Sequence, residues 1–307
     1  MNKVILYWNH ICILQHEENR QLNLVKERLV KHNIDLDIKH FGLGHPLHMS
    51  EYLAQKDALL PDIIVSADLE VFEDKRLYNK LLPLHNTLNW LPLKNNEMIK
   101  ACVRQETLTP FIIIPLVCYT TNLNKYNNTS ILDHCDSSFS IGGINNSAVK
   151  SIYKSVYQKF GKDNANRLIK EASVAPMPIN AFQNVRTGVT DGCLVPKLYT
   201  FSADNINTFE VEFTEGIYLL PSYFTARKTV DESIAKIVQI EIMNEAFLNM
   251  YAKSGKLITC PKIDTTNLED NYTKFQVISK DFINSFDNKA FYDDYTSILS
   301  TAKNLFE

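Results

Sequence analysis

Four of the six histidines in the first 48 residues are the residues best suited to chemistry. His10 stands apart, whereas His40, His45 and His48 lie within nine residues of one another. Neutral imidazole binds iron, zinc, nickel and copper ions. His10, His40 and His45 are therefore candidate ligands of a transition-metal ion. The alternative for His40 is a hydrogen-bonded core residue, because it continues the inward-facing alternation of a predicted strand.

A cysteine between two histidines is the one catalytic arrangement that the sequence offers. Cys12 lies between His10 and His16, so its thiol could act as a nucleophile with a histidine as base. Only three-dimensional geometry can establish such an arrangement. The sequence contains no GxSxG, Walker A, GxGxxG or HExxH motif. We therefore expect a binding protein rather than an enzyme.

The sequence of the first seventy residues predicts three strands, and polar residues follow each of them. Apolar runs or alternation predict strands over 4–8, 34–40 and 63–65, separated by helices over 17–31 and 49–60. Such alternation is typical of a parallel sheet, whose ligands bind beyond the carboxyl ends of the strands. This edge supplies the candidate ligand-binding residues Asn9, His10, His40, Ser66 and Asp68.

A second candidate site precedes a predicted helix that ends at Phe160. Gly143, Asn145, Asn146 and Ser147 stand at its start, where free backbone N–H groups favour an anion. Simple helix capping by asparagine and serine explains the same residues equally well. Beyond this helix, Asp191 could pair with a cationic ligand or could serve only in a turn.

Aromatic residues could form the walls of a ligand site by stacking or cation–π contact, and tyrosinate suits ferric iron. The alternative is that each is a half-buried core residue. The candidates are Trp8, Tyr119, Tyr218 and Tyr223.

The C-terminal part of the chain contains a return strand and further helices. The pattern predicts a short strand over 217–220, then a capping box of Thr229 and Glu232 before one long helix to about Ala252. A last amphipathic helix is predicted over 292–306.

Composition limits the class of protein. The 307 residues carry 32 Lys plus Arg and 35 Asp plus Glu, a net charge of −3, which gives no overall attraction for nucleic acid or anionic membranes. No apolar run reaches the length of a membrane span, and no secretory signal is evident. Localisation is thus left open: cytoplasmic as written, or extracytoplasmic if an export signal has been removed. The six scattered cysteines indicate neither a disulfide framework nor structural zinc.

Several segments match one known family in order and spacing. Residues 61–68 resemble its third-strand segment, and 110–120 resemble its outgoing crossing strand. Residues 142–147, with the following helix, resemble the ligand loop of its second lobe. Residues 185–196 resemble its small-residue, strand and proline element, and 216–221 its return segment. The chain thus resembles, over about residues 1–255, the type II periplasmic binding proteins, the solute receptors of ABC transporters.

The resemblance implies an α/β fold of two lobes, with mixed sheets flanked by helices and two crossing hinge strands. The first lobe would contain 1–112 and 212–307, and the second 113–211. The implied function is capture of a small polar or anionic ligand between the lobes, by a monomer that needs no cofactor and delivers the ligand to an ABC permease. A transition-metal binder and an enzyme built on this fold are the alternatives. A regulator's sensing domain is a third, although no helix-turn-helix segment is evident.

Overall fold

Strands and helices alternate along the described part of the chain in this computed structural model. The structure describes residues 1–42, 44–143, 146–201, 207–263, 272–285 and 288–301. Within these ranges, the side chains of Cys12, Asn288, Lys289 and Thr301 are outside the description.

Eleven strands form within the described residues. They are β1 (Asn2–Asn9), β2 (Ile34–Phe41), β3 (Ile63–Ser66), β4 (Thr109–Thr120), β5 (Phe139–Gly142), β6 (Ser173–Ala175), β7 (Gly192–Pro196), β8 (Phe209–Val211), β9 (Ile217–Ala226), β10 (Ile258–Thr259) and β11 (Phe275–Gln276).

The helices of the described residues are α1 (Gln15–Val30), α2 (Met49–Ala54), α3 (Glu70–Glu73), α4 (Lys75–Leu81), α5 (Glu97–Cys102), α6 (Leu123–Tyr126), α7 (Ser147–Phe160), α8 (Lys162–Glu171), α9 (Pro178–Arg186), α10 (Lys197–Phe201), α11 (Glu232–Ile242), α12 (Glu245–Gly255), α13 (Lys280–Asn284) and α14 (Asn288–Thr301). Single 3-10 turns lie at Cys12–Leu14 and Ile131–His134.

The chain divides into two compact units. Unit 1 comprises Met1–Ile113 and Pro221–Glu269, and unit 2 comprises Ile114–Leu220 and Asp270–Glu307. This division confirms the two-lobe α/β prediction but differs from the predicted boundaries, which assigned 212–220 and 270–307 to the first lobe. The difference has a physical cause: α14 packs on α7 through Tyr295 and Tyr153, whose rings lie 5.3 Å apart, and β11 pairs with β9 inside unit 2.

Unit 1 is built on the sheet order β2-β1-β3-β9, with β4 next. β1 pairs in parallel with β2 and β3, whereas β9 runs antiparallel to β3. Helix α1 covers this sheet because Leu22, Val25 and Leu29 recur every three or four residues and are all buried. Full burial of each such side chain contributes about 1.5–3 kcal/mol.

Unit 2 is built on the sheet order β4-β7-β5-β6. β7 is antiparallel to β4 and parallel to β5, and β8 adds a short antiparallel pairing to β4. The aromatic face of α14 is buried in this unit, where Tyr292 accepts a 2.5 Å hydrogen bond from the Nζ of Lys154.

Two buried strands, β4 and β9, continue from one unit into the other, and both change partner beside a proline. Along β4, pairing with β10 ends at Ile113 and pairing with β7 begins at Leu116, with Pro115 between them. Along β9, pairing with β11 involves 217–218 and pairing with β3 begins at Tyr223, with Pro221 between them. Proline has no N–H to donate to a strand ladder.

Several predicted elements differ from the observed ones in their bounds. The helix predicted over 49–60 ends at Ala54, because Gln55 is extended and the backbone of Leu59 bonds to tyrosine hydroxyls. The single helix predicted to reach Ala252 is two helices, divided where the side chain of Asn244 caps α12.

The predicted Thr229 cap is also wrong. The N-cap of α11 is Asp231, whereas the Thr229 hydroxyl donates to Asp62. The return strand extends beyond 217–220 to Ala226. Of the last predicted helix, 292–306, the part beyond 301 lies outside the described residues.

Candidate functional site

A buried carboxylate holds His10 at the carboxyl end of β1. The Nδ1 of His10 lies 2.6 Å from Oε2 of Glu18, and both side chains are completely buried. The backbone N–H of Ile11 donates to the same oxygen at 3.0 Å, and the Tyr251 hydroxyl donates to Oε1 at 2.5 Å. Since a buried carboxyl group needs hydrogen-bond partners, these bonds hold Glu18 in position, and Glu18 in turn orients the imidazole of His10.

Three imidazoles meet at this edge, and we name His10, His40 and His45 the histidine cluster. The parallel register places Trp8 opposite His40, so His10 and His40 come together, with Nε2 of His10 2.9 Å from Nδ1 of His40. Their rings stack 4.9 Å apart, and the His45 ring lies 5.9 Å from His10 and 6.2 Å from His40. The structure thus brings these three candidate residues together at one edge of the sheet.

Two members of the histidine cluster favour the neutral form. Burial, followed by the positive charges of the neighbouring imidazoles and Lys26, lowers the pKa of His40 to about 4. Burial and the neighbouring His10 also lower the pKa of His45. Neutral imidazoles can accept and donate hydrogen bonds, and they are the form that binds metals.

The loop after β2 brings His45 to the cluster. The His10 N–H donates to the carbonyl of Phe41, and the His45 N–H donates to that of Gly42. Gly42 has a φ of +107°, and a Cβ there would lie 3.0 Å from the carbonyl oxygen of His10. Glycine is therefore required for the close approach of this loop to β1.

The arrangement of these groups is that of hydrogen-bonded rings. Within the described residues, no group of three or more His, Cys, Asp or Glu side chains has an arrangement that could hold a metal ion. The donor chemistry of the histidine cluster nevertheless suits a transition metal. The side chain of Cys12 lies outside the described residues, as does Asn145.

The predicted residues after β3 have structural partners. The Oγ of Ser66 accepts a hydrogen bond from the backbone N–H of Asp68, and Oδ2 of Asp68 accepts one from that of Ser50. Both predicted side chains are buried, so they tie the start of α2 to the end of β3. Asn9, the last residue of β1, is half-buried.

The candidate residues of unit 2 also take local roles. Asn146 is the N-cap of α7 and accepts from the N–H of Ala148, and Ser147 begins the helix. Gly143 has a φ of +96° and closely approaches Asn146. Asp191 forms a 3.1 Å ion pair with Lys125. These contacts favour capping and turn formation.

The four aromatic candidates are buried, which favours the core alternative over ligand contact. The Trp8 ring stacks on that of Phe247. The hydroxyls of the three tyrosines donate within the protein: Tyr119 to Thr208, Tyr218 to Glu215 and Tyr223 to the carbonyl of Cys102.

A cavity of about 350 Å³ lies in unit 1 beside the histidine cluster. Helix α1 and strand β2 form its walls, with His40 and His45 in its lining. The sequence prediction missed Glu18, Tyr251 and this cavity. The sequence could have indicated the cavity, because Gln15, Asn19 and Asn23 recur every four residues and therefore share one face of α1.

Comparison with solved structures defines the class of fold. The apo ferric ion-binding protein A of Pasteurella haemolytica matches at 10% identity with a TM-score of 0.70, covering 100% of both chains. Iron-bound HitA from Pseudomonas aeruginosa matches at 12% identity and a TM-score of 0.71, covering 97% of this chain and 99% of its own. A periplasmic thiamin binding protein matches at 13% identity and 0.67, covering 97% and 96%.

These likenesses show that the chain has the fold of the type II periplasmic binding proteins, as the sequence predicted. No protein-family model matches the sequence, and no curated protein matches it. Among the described residues, none of the helices combines the length and apolar character needed to span a bilayer.

Proposed function

We propose that this protein captures a small polar or anionic ligand without chemical turnover. The observation that carries the proposal is the histidine cluster at the carboxyl edge of β1 and β2, beside a cavity with a polar lining. In parallel α/β sheets, this edge is where ligands bind. The fold agrees with such a role, and the solved neighbours include proteins named for iron and thiamin.

The rest of the proposal follows from the fold class. The protein acts as an extracytoplasmic monomer that delivers its ligand to an ABC permease. A ligand shifts such a protein toward its closed state only by the difference between its affinities for the two states, and this shift requires no bond cleavage.

Ligand-induced stabilisation tests the proposal. Native mass spectrometry of protein purified without chelator should reveal a retained small molecule or ion, and adding it back should raise the Tm with no product formed. Absence of a Tm shift with metabolites, oxyanions and metal ions would contradict the binding role. Turnover that Cys12→Ala abolishes while ligand affinity remains would establish the enzyme alternative.

A transition-metal ion is the second candidate ligand, favoured by the neutral forms of His40 and His45. Because the stacked rings do not form a metal-binding group among the described residues, His10, His40 or His45 would hold the ion only after the rings reorient. Glu18 would then orient His10 as carboxylates orient metal-binding histidines. Bound metal, measured by elemental analysis, should disappear in a His10→Ala, His40→Ala double variant and persist in His16→Ala. Equal metal content in all three proteins would exclude this site.

A further inference from the structure

Helix α1 presents a row of amides to the cavity. Gln15, Asn19 and Asn23, which we name the amide row, are spaced by four residues and all line the cavity. At 1.5 Å per residue, the row spans about 12 Å along the helix. Each amide offers two N–H donors and a carbonyl acceptor, so the row can bond to several groups of one ligand.

Two aliphatic side chains and two imidazoles also line the cavity. Ile38 is half-buried and supplies aliphatic surface, whereas Leu22 is buried beneath the lining. His40 and His45 supply imidazoles whose lowered pKa values agree with their partial burial. A ligand here would meet hydrogen-bonding groups on one side and a small apolar surface on the other.

The charged groups of the lining have opposite signs and are exposed. Lys26 and Asp37 each have an exposed side chain, and Asp37 forms a 3.3 Å ion pair with Lys3. Exposed charges such as these contribute little to binding because water and salt screen them. The lining therefore selects for hydrogen bonds rather than for net charge.

We propose that the cavity binds a neutral polyhydroxyl compound of monosaccharide size. Hydroxyl groups both donate and accept, as the amide row requires, and the C–H surface of such a compound suits the half-buried Ile38. A volume of about 350 Å³ lies at the lower end of the ~300–1,000 Å³ typical of small-molecule sites. This inference rests on the proposed function and narrows its ligand to one chemical class.

Calorimetric titration of the full chain tests the ligand class. The probes are D-glucose, D-galactose, D-ribose and myo-inositol, with citrate, phosphate, L-glutamine and Fe³⁺ as charged or zwitterionic comparisons. Saturable binding of at least one of the four polyols, at least tenfold tighter than any comparison probe, is the expected result. Tighter binding of a comparison probe overturns the polyol inference but leaves the proposed function intact. Absence of binding by all eight counts against both.

Two variants of α1 test the location. Asn19→Leu removes the central amide of the row and should weaken polyol binding at least tenfold, because a lost bond leaves ligand hydroxyls unpaired. His16→Leu places the same side chain on an exposed position of α1 outside the cavity lining and should change affinity less than twofold. Equal affinity of Asn19→Leu and the unmodified protein overturns the assignment to this cavity. Thermal unfolding of both variants checks that each is folded.

Discussion

Glu18, the buried residue that holds His10 in unit 1, was not revealed by the sequence pattern. Glu18 lies in the first turn of α1, where an acidic residue ordinarily faces water and complements the helix dipole. In the structure its carboxylate is fully buried and bonded to His10, Ile11 and Tyr251. Tyr251 lies 233 residues further along the chain, so no local pattern could have predicted the contact.

Replacing this carboxylate by an amide should destabilise the protein. Glu18→Gln keeps the side-chain shape but replaces one acceptor oxygen with an NH2 group, which leaves at least one of these buried bonds unmade. We expect a loss of about 2–4 kcal/mol in the free energy of unfolding. Urea denaturation provides the measurement. The neighbouring Glu17→Gln removes only a partly exposed pair with Arg20 and should cost less than about 0.5 kcal/mol. Similar losses in the two variants would contradict the structural role of Glu18.

His134 should make unit 2 sensitive to acid. Burial and the nearby Lys125 lower its pKa, and its ring stacks 4.0 Å from that of Tyr126. The folded protein therefore binds fewer protons at this site than the unfolded chain does. Stability contributed by the neutral ring is present above the unfolded pKa of ~6.5 and is lost as pH falls below it.

The measurement is the free energy of unfolding at pH 7.5 and pH 5.5. His134→Phe should lose less stability over this interval than the unmodified protein, because phenylalanine does not titrate. His16→Phe, at an exposed position, should retain the full pH dependence. An unchanged dependence in His134→Phe would show that other groups control it.

The sequence predicted individual strands and helices correctly where their own side-chain pattern was sufficient to identify them. Strands β1, β2 and β3 follow from apolar runs and alternation, and α1 follows from its apolar spacing. Element ends were predicted less well, because tertiary contacts decide them. The extended chain after Ala54 depends on Tyr7 and Tyr52, and the end of α11 depends on the Asn244 cap.

The packing of β5 against α9 requires a residue without a side chain. A Cβ at Gly142 would lie 2.4 Å from the Cα of Pro178 and 2.6 Å from the carbonyl oxygen of Met177. Because these are backbone atoms, Gly142→Ala should cost about 2–3 kcal/mol of stability. At Gly255 the contacts are leucine side chains at 3.0 and 3.1 Å, which can move, so Gly255→Ala should cost less. Equal urea midpoints for the two variants would contradict this difference.

The fold of the whole molecule was predictable because the order and spacing of its segments survive large sequence divergence. The unit to which the C-terminal residues belong was not predictable, because aromatic contacts with α7 position α14. Of the candidate site, the meeting of His10 and His40 followed from parallel strand order. The burial of Tyr119, Tyr218 and Tyr223 could not be predicted from the sequence, because short apolar strands do not indicate how deeply each ring is buried.

We expect the two units to unfold together, because strands β4 and β9 each contribute residues to both of them. Both tryptophans, Trp8 and Trp90, lie in unit 1, so tryptophan fluorescence reports that unit alone, whereas circular dichroism reports both. Tyr295→Ala removes a buried ring from unit 2 and should cost about 3–5 kcal/mol. We expect the urea midpoints of both signals to fall together. An unchanged fluorescence midpoint would show that the units unfold independently.

The prolines of β4 and β9 have a consequence for how the backbone can deform. Pro115 and Pro221 fall in the short stretches where each strand exchanges one neighbour for another. A proline nitrogen has no inter-strand bond to sacrifice, so twisting the chain at these two points disturbs the ladder less than twisting it elsewhere.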